Sequence, residues 1–152
     1  MTKFEELEEE THAAGLTIKE RPLRHSDGLV KGRKIYLRTG QTLTEKTCVL
    51  AEEIAHAELT VGNILNQSTV SNRKQEMLAR TKAYDRLVGL SGLVEAFEHG
   101  CRNRYETAEF LEVTEEFLES AVQRYREKYG LYTKFGSYVI QFEPWLSVIK
   151  LL

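Results

Sequence analysis

Glu52, Glu53 and His56 are the residues of this sequence whose types and spacing best suit chemistry. Glu52 and His56 are four residues apart, which in an α-helix places both side chains on one face, one turn apart. Two ligands at this spacing can hold a divalent metal, while the intervening carboxylate, Glu53, takes a proton from a metal-bound water. The pattern E-E-x-x-H therefore predicts a hydrolytic metal site, with Glu at the first ligand position where zinc peptidases of the H-E-x-x-H type carry His.

Glu76 is the candidate third ligand. It lies on the next predicted helix, 20 residues after His56, a separation that lets a loop reverse the chain and bring two helices side by side. Three protein ligands and one water make up a catalytic zinc centre. Two carboxylates and one imidazole also suit manganese or iron, so ligand chemistry alone leaves the metal open. The alternative to a metal site is that these residues form a charged, solvated helix face with no catalytic role.

Cys48 and Tyr84 are additional candidates outside this set. Cys48 lies four residues before Glu52, so it shares the same helical stripe and could approach a metal as a thiolate, although a buried neutral cysteine is the ordinary case. Tyr84 lies near the end of the predicted Glu76 helix. Its hydroxyl could help to hold an oxyanion, although a tyrosine at this spacing is ordinarily a core residue.

The elements before the site follow from periodicity and turn residues. Apolar spacing predicts a short surface helix over residues 3–14, followed by an extended stretch from Leu16. Residues 28–38 predict an antiparallel hairpin that turns at Lys31-Gly32. Thr42 or Thr44 can cap the next helix, which runs through Leu59 and carries the candidate site.

The elements after the site are predicted to be mostly helical. Residues 61–72 are rich in Gly, Asn, Gln and Ser and predict a loop. Helical periodicity or capping signals then predict four helices, at residues 73–89, 93–98, 106–111 and 114–129. Residues 138–142 alternate as in an edge strand, and residues 148–152 are too few to classify. The whole predicts a mostly helical α+β fold with one small antiparallel sheet near its start.

Composition limits the class of protein. The 152 residues, 41% hydrophobic and 29% charged with a net charge of -2, predict one domain over 1–152. Its predicted parts are an N-terminal helix and hairpin (1–40), the metal-site helices (42–90) and a C-terminal helical subregion with a tail (91–152). The charge balance argues against binding nucleic acid mainly by charge. The absence of an apolar run of about 20 residues, an acidic N-terminus and only two cysteines predict a cytoplasmic protein without a membrane partner.

Three stretches of the sequence carry a resemblance to a known family. They are L-A-E-E-I-A-H at residues 50–56, G-N-I at residues 62–64 and K-Q-E-x-x-A-x-x-x-A-x-x-x-L at residues 74–87. In this order and spacing they resemble the ImmA/IrrE family of metallopeptidases, specifically its phage and mobile-element members. The Lys31-Gly32 turn is similar to that family's hairpin before the metal helix, and residues 105–130 are similar to its phage-type C-terminal part.

The resemblance implies a minimal zincin-like metallopeptidase fold and a set of roles. His56 matches the second metal-binding His, Glu53 the general base and Glu76 the downstream acidic ligand, while Glu52 stands where the family has its first His. The implied activity is that of a cytoplasmic zinc endopeptidase. Its implied substrate is a helix-turn-helix repressor of a phage, prophage or mobile element, whose cleavage ends repression and hence lysogeny.

Two other functions remain open from the sequence. One is a metal-poor, non-catalytic module of the same fold that acts on a repressor by contact. The other is a small DNA-binding regulator that uses residues 105–129, which have the rhythm of a helix-turn-helix. Its second helix would begin with Glu115 and Glu116, and carboxylates at that end oppose phosphate, so direct nucleic-acid binding is disfavoured.

Overall fold

Residues 1–62 and 71–152 are described by a computed structural model, and they divide between two units, Met1–Ala83 and Tyr84–Leu152. Most of the described residues are helical and the strands form two small sheets, so the predicted α+β class is confirmed. That the chain forms one domain over 1–152 stays a prediction. None of the described helices combines the length and apolarity needed to cross a membrane.

The first unit opens with helix α1 (Lys3–Ala13) and strand β1 (Thr17–Arg21), followed by the hairpin strands β2 (Gly28–Lys31) and β3 (Lys34–Arg38). The hairpin is antiparallel as predicted, but its turn lies at residues 32–33, one residue later, where Gly32 has a φ of +61°. β1 pairs with β3 in parallel, which makes the sheet mixed, in the order β1-β3-β2. Parallel partners are not joined by a tight turn, so no local pattern in the sequence indicates this pairing.

Helix α2 (Leu43–Gly62) carries the candidate site and is fixed at its start by Thr42. The Thr42 hydroxyl accepts a hydrogen bond from the Glu45 N–H at 3.1 Å, and the Glu45 carboxylate accepts one from the Thr42 N–H at 2.9 Å. This reciprocal pair is a capping box, so the helix cap is Thr42 and not Thr44. The helix packs on α1, β2 and β3. Its fully apolar buried positions are Leu50, Ala51, Ile54, Ala55 and Ala57.

Helix α3 (Ser71–Leu87) follows, and the loop predicted over residues 61–72 is shorter than expected at both ends. Residues 63–70 of that loop lie outside the described residues. The difference is two residues at each end, which is the usual uncertainty when a helix boundary is inferred from polarity. α3 ends before Gly89, whose φ of +63° suits glycine, rather than at Gly89 as predicted.

The second unit contains three further helices, α4 (Gly89–His99), α5 (Arg104–Leu111) and α6 (Glu115–Tyr129). The Thr114 hydroxyl accepts a hydrogen bond from the Phe117 N–H at 3.0 Å, so Thr114 caps α6 as predicted. The buried stripe predicted for α6 is confirmed in full and consists of Phe117, Leu118, Ala121, Val122 and Tyr125. These helices form the core of the unit.

A second sheet, which the sequence predicted only in part, ends the chain. Its strands are β4 (Tyr132–Phe135), β5 (Tyr138–Gln141) and β6 (Ser147–Lys150), antiparallel in the order β4-β5-β6. The strand expected at residues 138–142 is therefore central and not an edge. Four-residue strands are specified mainly by their partners and by burial, here of Ile140, so their own sequence is a weak guide.

Tyr125 connects three elements of the second unit. Its hydroxyl donates a hydrogen bond to the Asp85 carboxylate at 2.9 Å and accepts one from the Gly89 N–H at 3.1 Å. Burial, with the neighbouring Asp85 charge, raises the pKa of Tyr125 well above its usual range.

Tyr125→Phe is expected to lower the free energy of unfolding by about 1–3 kcal/mol, because the substitution leaves the Gly89 N–H and the Asp85 carboxylate without this partner. Urea unfolding of the variant measures the effect. The matched control is Tyr132→Phe, at a largely exposed tyrosine, which should change little. Equal stability of the two variants would contradict a structural role for the Tyr125 hydroxyl.

Candidate functional site

Glu76 of α3 and His56 of α2 lie in contact, and the sequence predicted that these two residues approach each other. The His56 Nε2 atom lies 3.1 Å from Glu76 Oε2. A second ion pair joins the same two helices, between Lys82 Nζ and Glu58 Oε2 at 3.0 Å. These contacts place a carboxylate from one helix against an imidazole from another, both in the first unit.

Arg80 adds a positive charge to the site that the sequence analysis did not identify. Its Nε atom lies 3.3 Å from Glu76 Oε1. Arg80 follows Glu76 by four residues on α3, the spacing at which opposite charges pair on a helix, and this spacing could have revealed it. Burial raises the pKa of Glu52, and the Arg80 charge opposes that rise. Arg80 therefore contacts Glu76 directly and affects the pKa of Glu52 through its charge.

Glu53 is half-buried and has the most perturbed carboxyl of the site. Burial raises its pKa to about 7, with further contributions from the charges of Glu52 and Glu76. The negative charges of Glu52 and Glu76 therefore act on the Glu53 pKa in the same direction as burial. A carboxyl group with a pKa near neutrality can both accept and return a proton at physiological pH, which is what a general base requires.

Gly28 of β2 makes room for Glu53. A Cβ atom at Gly28 would lie 2.5 Å from Val49 Cγ1, 2.9 Å from Glu53 Cγ and 3.1 Å from Glu53 Oε1. Real contacts at the two shorter distances do not occur, so any side chain at Gly28 displaces Val49, Glu53 or the strand. Gly28 thus leaves room for Glu53. A single glycine at the start of a strand gives no sign of this role in the sequence.

Gly28→Ala is expected to lower the free energy of unfolding by about 1–3 kcal/mol through overpacking against α2. Adding Val49→Ala removes the nearest clashing atom and should restore part of the loss. Urea unfolding of the parent, the single variant and the double variant tests this. If the single variant is as stable as the parent, β2 does not lie as closely on α2 as the structure shows.

The raised pKa of Glu53 predicts how the stability of the metal-free protein varies with pH. The folded chain holds this proton up to a pH of about 7, whereas the ordinary pKa of a glutamate is 4.5, so folding is disfavoured progressively as the pH rises between these values. In the presence of a chelator, Glu53→Gln should therefore stabilise the protein by about 1–2 kcal/mol above neutrality, allowing for solvent screening, and have little effect near pH ~4. Urea unfolding at both pH values measures the difference, and a pH-independent difference would contradict the assignment.

Residues 11–123 match the family model described as the IrrE N-terminal-like domain, Peptidase_M78. The chain belongs to this family. The matched region contains Glu52, Glu53, His56 and Glu76, so the resemblance noted from the sequence is confirmed, and with it the assignment to a metallopeptidase family with a minimal zincin-like fold. Comparison with curated proteins gave no match.

The donor set of this IrrE-like domain suits a divalent metal in its chemistry. Glu52 and Glu76 offer carboxylate oxygens and His56 an imidazole nitrogen, all of which ligate zinc. Glu76 and His56 are already in contact, and Glu52 lies one turn from His56 on α2. As they stand, no three His, Cys, Asp or Glu side chains within residues 1–62 and 71–152 form a cluster that could hold a metal ion. The assignment of Glu52, His56 and Glu76 as metal ligands therefore stays a prediction.

The two additional candidates of the IrrE-like domain are both buried. Cys48 lies in the core of the first unit, one turn before Glu52 on α2. Tyr84 packs edge-on against Phe117 in the second unit, with ring centroids 5.1 Å apart. Both positions agree with the packing interpretation. A metal-binding role for Cys48 and an oxyanion role for Tyr84 remain predictions.

Proposed function

We propose that this IrrE-like domain is a zinc-dependent endopeptidase that cleaves a helix-turn-helix repressor of a phage or mobile element and so relieves repression in the cytoplasm. The observation that carries the proposal is the pairing of His56 with Glu76 beside the half-buried carboxyl group of Glu53. All three residues lie in the region matched by a metallopeptidase family. The choice of a repressor as substrate is supported by the resemblance to the phage and mobile-element members.

Each residue of the site has a role in this proposal. Glu52, His56 and Glu76 hold the metal, which when bound supplies Lewis acidity toward a water molecule and a peptide carbonyl. Glu53 accepts the proton of the attacking water and later passes it to the leaving amine. Its pKa of about 7 suits both transfers near neutral pH. Gly28 leaves the space that Glu53 occupies, because a larger residue would fill it.

The test combines metal content with cleavage. The purified chain is compared with His56→Ala by elemental mass spectrometry after incubation with zinc, and both are incubated with a candidate repressor encoded beside the gene. Near-stoichiometric zinc and repressor cleavage in the parent, both lost in His56→Ala, support the proposal. Equal metal in the two proteins would place the metal elsewhere.

A second candidate is a non-catalytic module that inactivates a repressor by contact. It is favoured by one observation: among the described residues, no three His, Cys, Asp or Glu side chains lie close enough together to hold a metal ion. A chain that takes up no metal when zinc is supplied, yet binds the repressor without cutting it, would decide for this candidate. Salt-dependent DNA binding would instead favour the regulator that uses residues 105–129, although the first turn of α6 carries Glu115 and Glu116.

A further inference from the structure

A groove of about 1000 Å³ lies within the second unit. Its walls come from α4, α5 and α6 and from the segment that leads into β6. Pockets that enclose small ligands have volumes of about 300–1,000 Å³, so this groove is at the upper end of that range. Its volume leaves room for a ligand of peptide size.

The charge of the groove favours an anionic ligand. Arg102, Arg104 and Arg126 line it together with one carboxylate, Glu119. Arg126 is engaged within the chain, because its Nη2 donates to the Phe142 carbonyl at 3.0 Å and its Nε lies 3.1 Å from Glu143 Oε1.

The other two arginines are more available. Arg104 pairs with Glu119 at 3.4 Å, and both side chains are more than half exposed. An exposed pair of this kind contributes little and is readily exchanged. Arg102 forms no ion pair with an acidic side chain in the described part of the chain. Arg102 lies just before α5 and Arg104 begins it, and both can therefore turn toward carboxylates of a ligand.

The lining of the groove also includes an exposed aromatic ring and a strand at the end of its sheet. Trp145 is 68% exposed and lines the groove. Ser147 and Val148 of β6 also line it, and β6 is the last strand in the order β4-β5-β6, with no further strand beside it among the described residues. An open edge presents backbone N–H and C=O groups that pair with an added extended chain. Aromatic side chains such as Trp145 are frequent anchors for bound peptides.

We propose that this groove binds an extended acidic segment of a protein partner, which pairs with the edge of β6, packs on Trp145 and places carboxylates on Arg102 and Arg104. The strand edge decides for a peptide over a nucleic acid, because it pairs with peptide groups. The inference rests on the proposed function for the source of the segment, the repressor substrate. Binding itself requires neither metal nor cleavage.

Trp145 makes the test direct, because it is the only tryptophan in the sequence. The probe is a short synthetic peptide in which glutamate alternates with valine, added to the full chain carrying Glu53→Gln so that cleavage cannot interfere. Saturable change in Trp145 fluorescence is expected. The double variant Arg102→Ser, Arg104→Ser should weaken binding about tenfold or more. Its matched control removes two positive charges from exposed residues of the first unit, by Lys19→Ser with Arg24→Ser, and should bind as the parent does.

Three results would overturn the inference: no fluorescence response, equal binding of the analogue with lysine in place of glutamate, or equal loss in the control variant. Tighter binding of oligothymidylate than of the acidic peptide would overturn it as well and would identify the groove as a nucleic-acid site. Failure of the proposed function gives a different pattern. A chain that binds the peptide but never cleaves a repressor would support the peptide-binding groove and contradict the endopeptidase activity.

Discussion

Glu53→Gln is expected to slow repressor cleavage by about 10²–10⁴-fold while zinc content and folding are retained, because the amide cannot accept the proton of the attacking water. The side chains are nearly the same size, so the space beside Gly28 and Val49 stays filled. Glu53 is not among the proposed ligands, which is why metal binding should survive. Cleavage rates with purified repressor and elemental mass spectrometry on the same samples measure the two properties.

Glu58→Gln is the matched control for this substitution. Glu58 lies on the same helix, and its carboxylate pairs with Lys82 at 3.0 Å. The control makes the same chemical change and should leave cleavage within about twofold of the parent, because exposed ion pairs contribute little. Full activity in Glu53→Gln would remove Glu53 from the role of base. Equal loss in both variants would point to a general effect of altering α2.

The elements that carry the site were predictable because their signals are local. Thr42 and Thr114 each precede a helix and each caps it through a hydrogen bond with an N–H three residues later. The spacing of Glu52 and His56 fixes their shared face from helix geometry alone. The approach of Glu76 to His56 was also expected, since it needs only a reversal of the chain between two consecutive helices.

The features that escaped prediction depend on residues distant in sequence. The parallel pairing of β1 with β3 places Ile18 opposite Ile35, although β2 lies between the two strands in sequence, and no local pattern encodes it. Gly28 matters only because β2 lies on α2 at Val49 and Glu53. The terminal sheet is built from four-residue strands whose pairing and burial, rather than their own propensity, define them.

Glu52 is the position where this chain departs from the H-E-x-x-H pattern, and its substitution should have the second large effect. Glu52→Ala removes one of three proposed ligands and is expected to weaken zinc binding by more than about 100-fold, beyond the 10–100-fold typical of losing a group that only supports a ligand. Competition against a chelating dye measures the affinity. Glu58→Ala removes a carboxylate from the same helix outside the site and should have little effect.

Glu52→His separates a ligand role from a purely electrostatic one. An imidazole replaces a hard oxygen donor with a nitrogen donor, so the variant should keep zinc and should prefer it over manganese more strongly than the parent does. If Glu52 instead acts only through its charge, Glu52→His and Glu52→Ala should resemble each other, because both remove the carboxylate beside Glu53 and Glu76. Retention of zinc in Glu52→His with its loss in Glu52→Ala would therefore establish that the first position of E-E-x-x-H is a metal ligand. Similar zinc affinities in the two variants would instead assign that carboxylate to tuning Glu53.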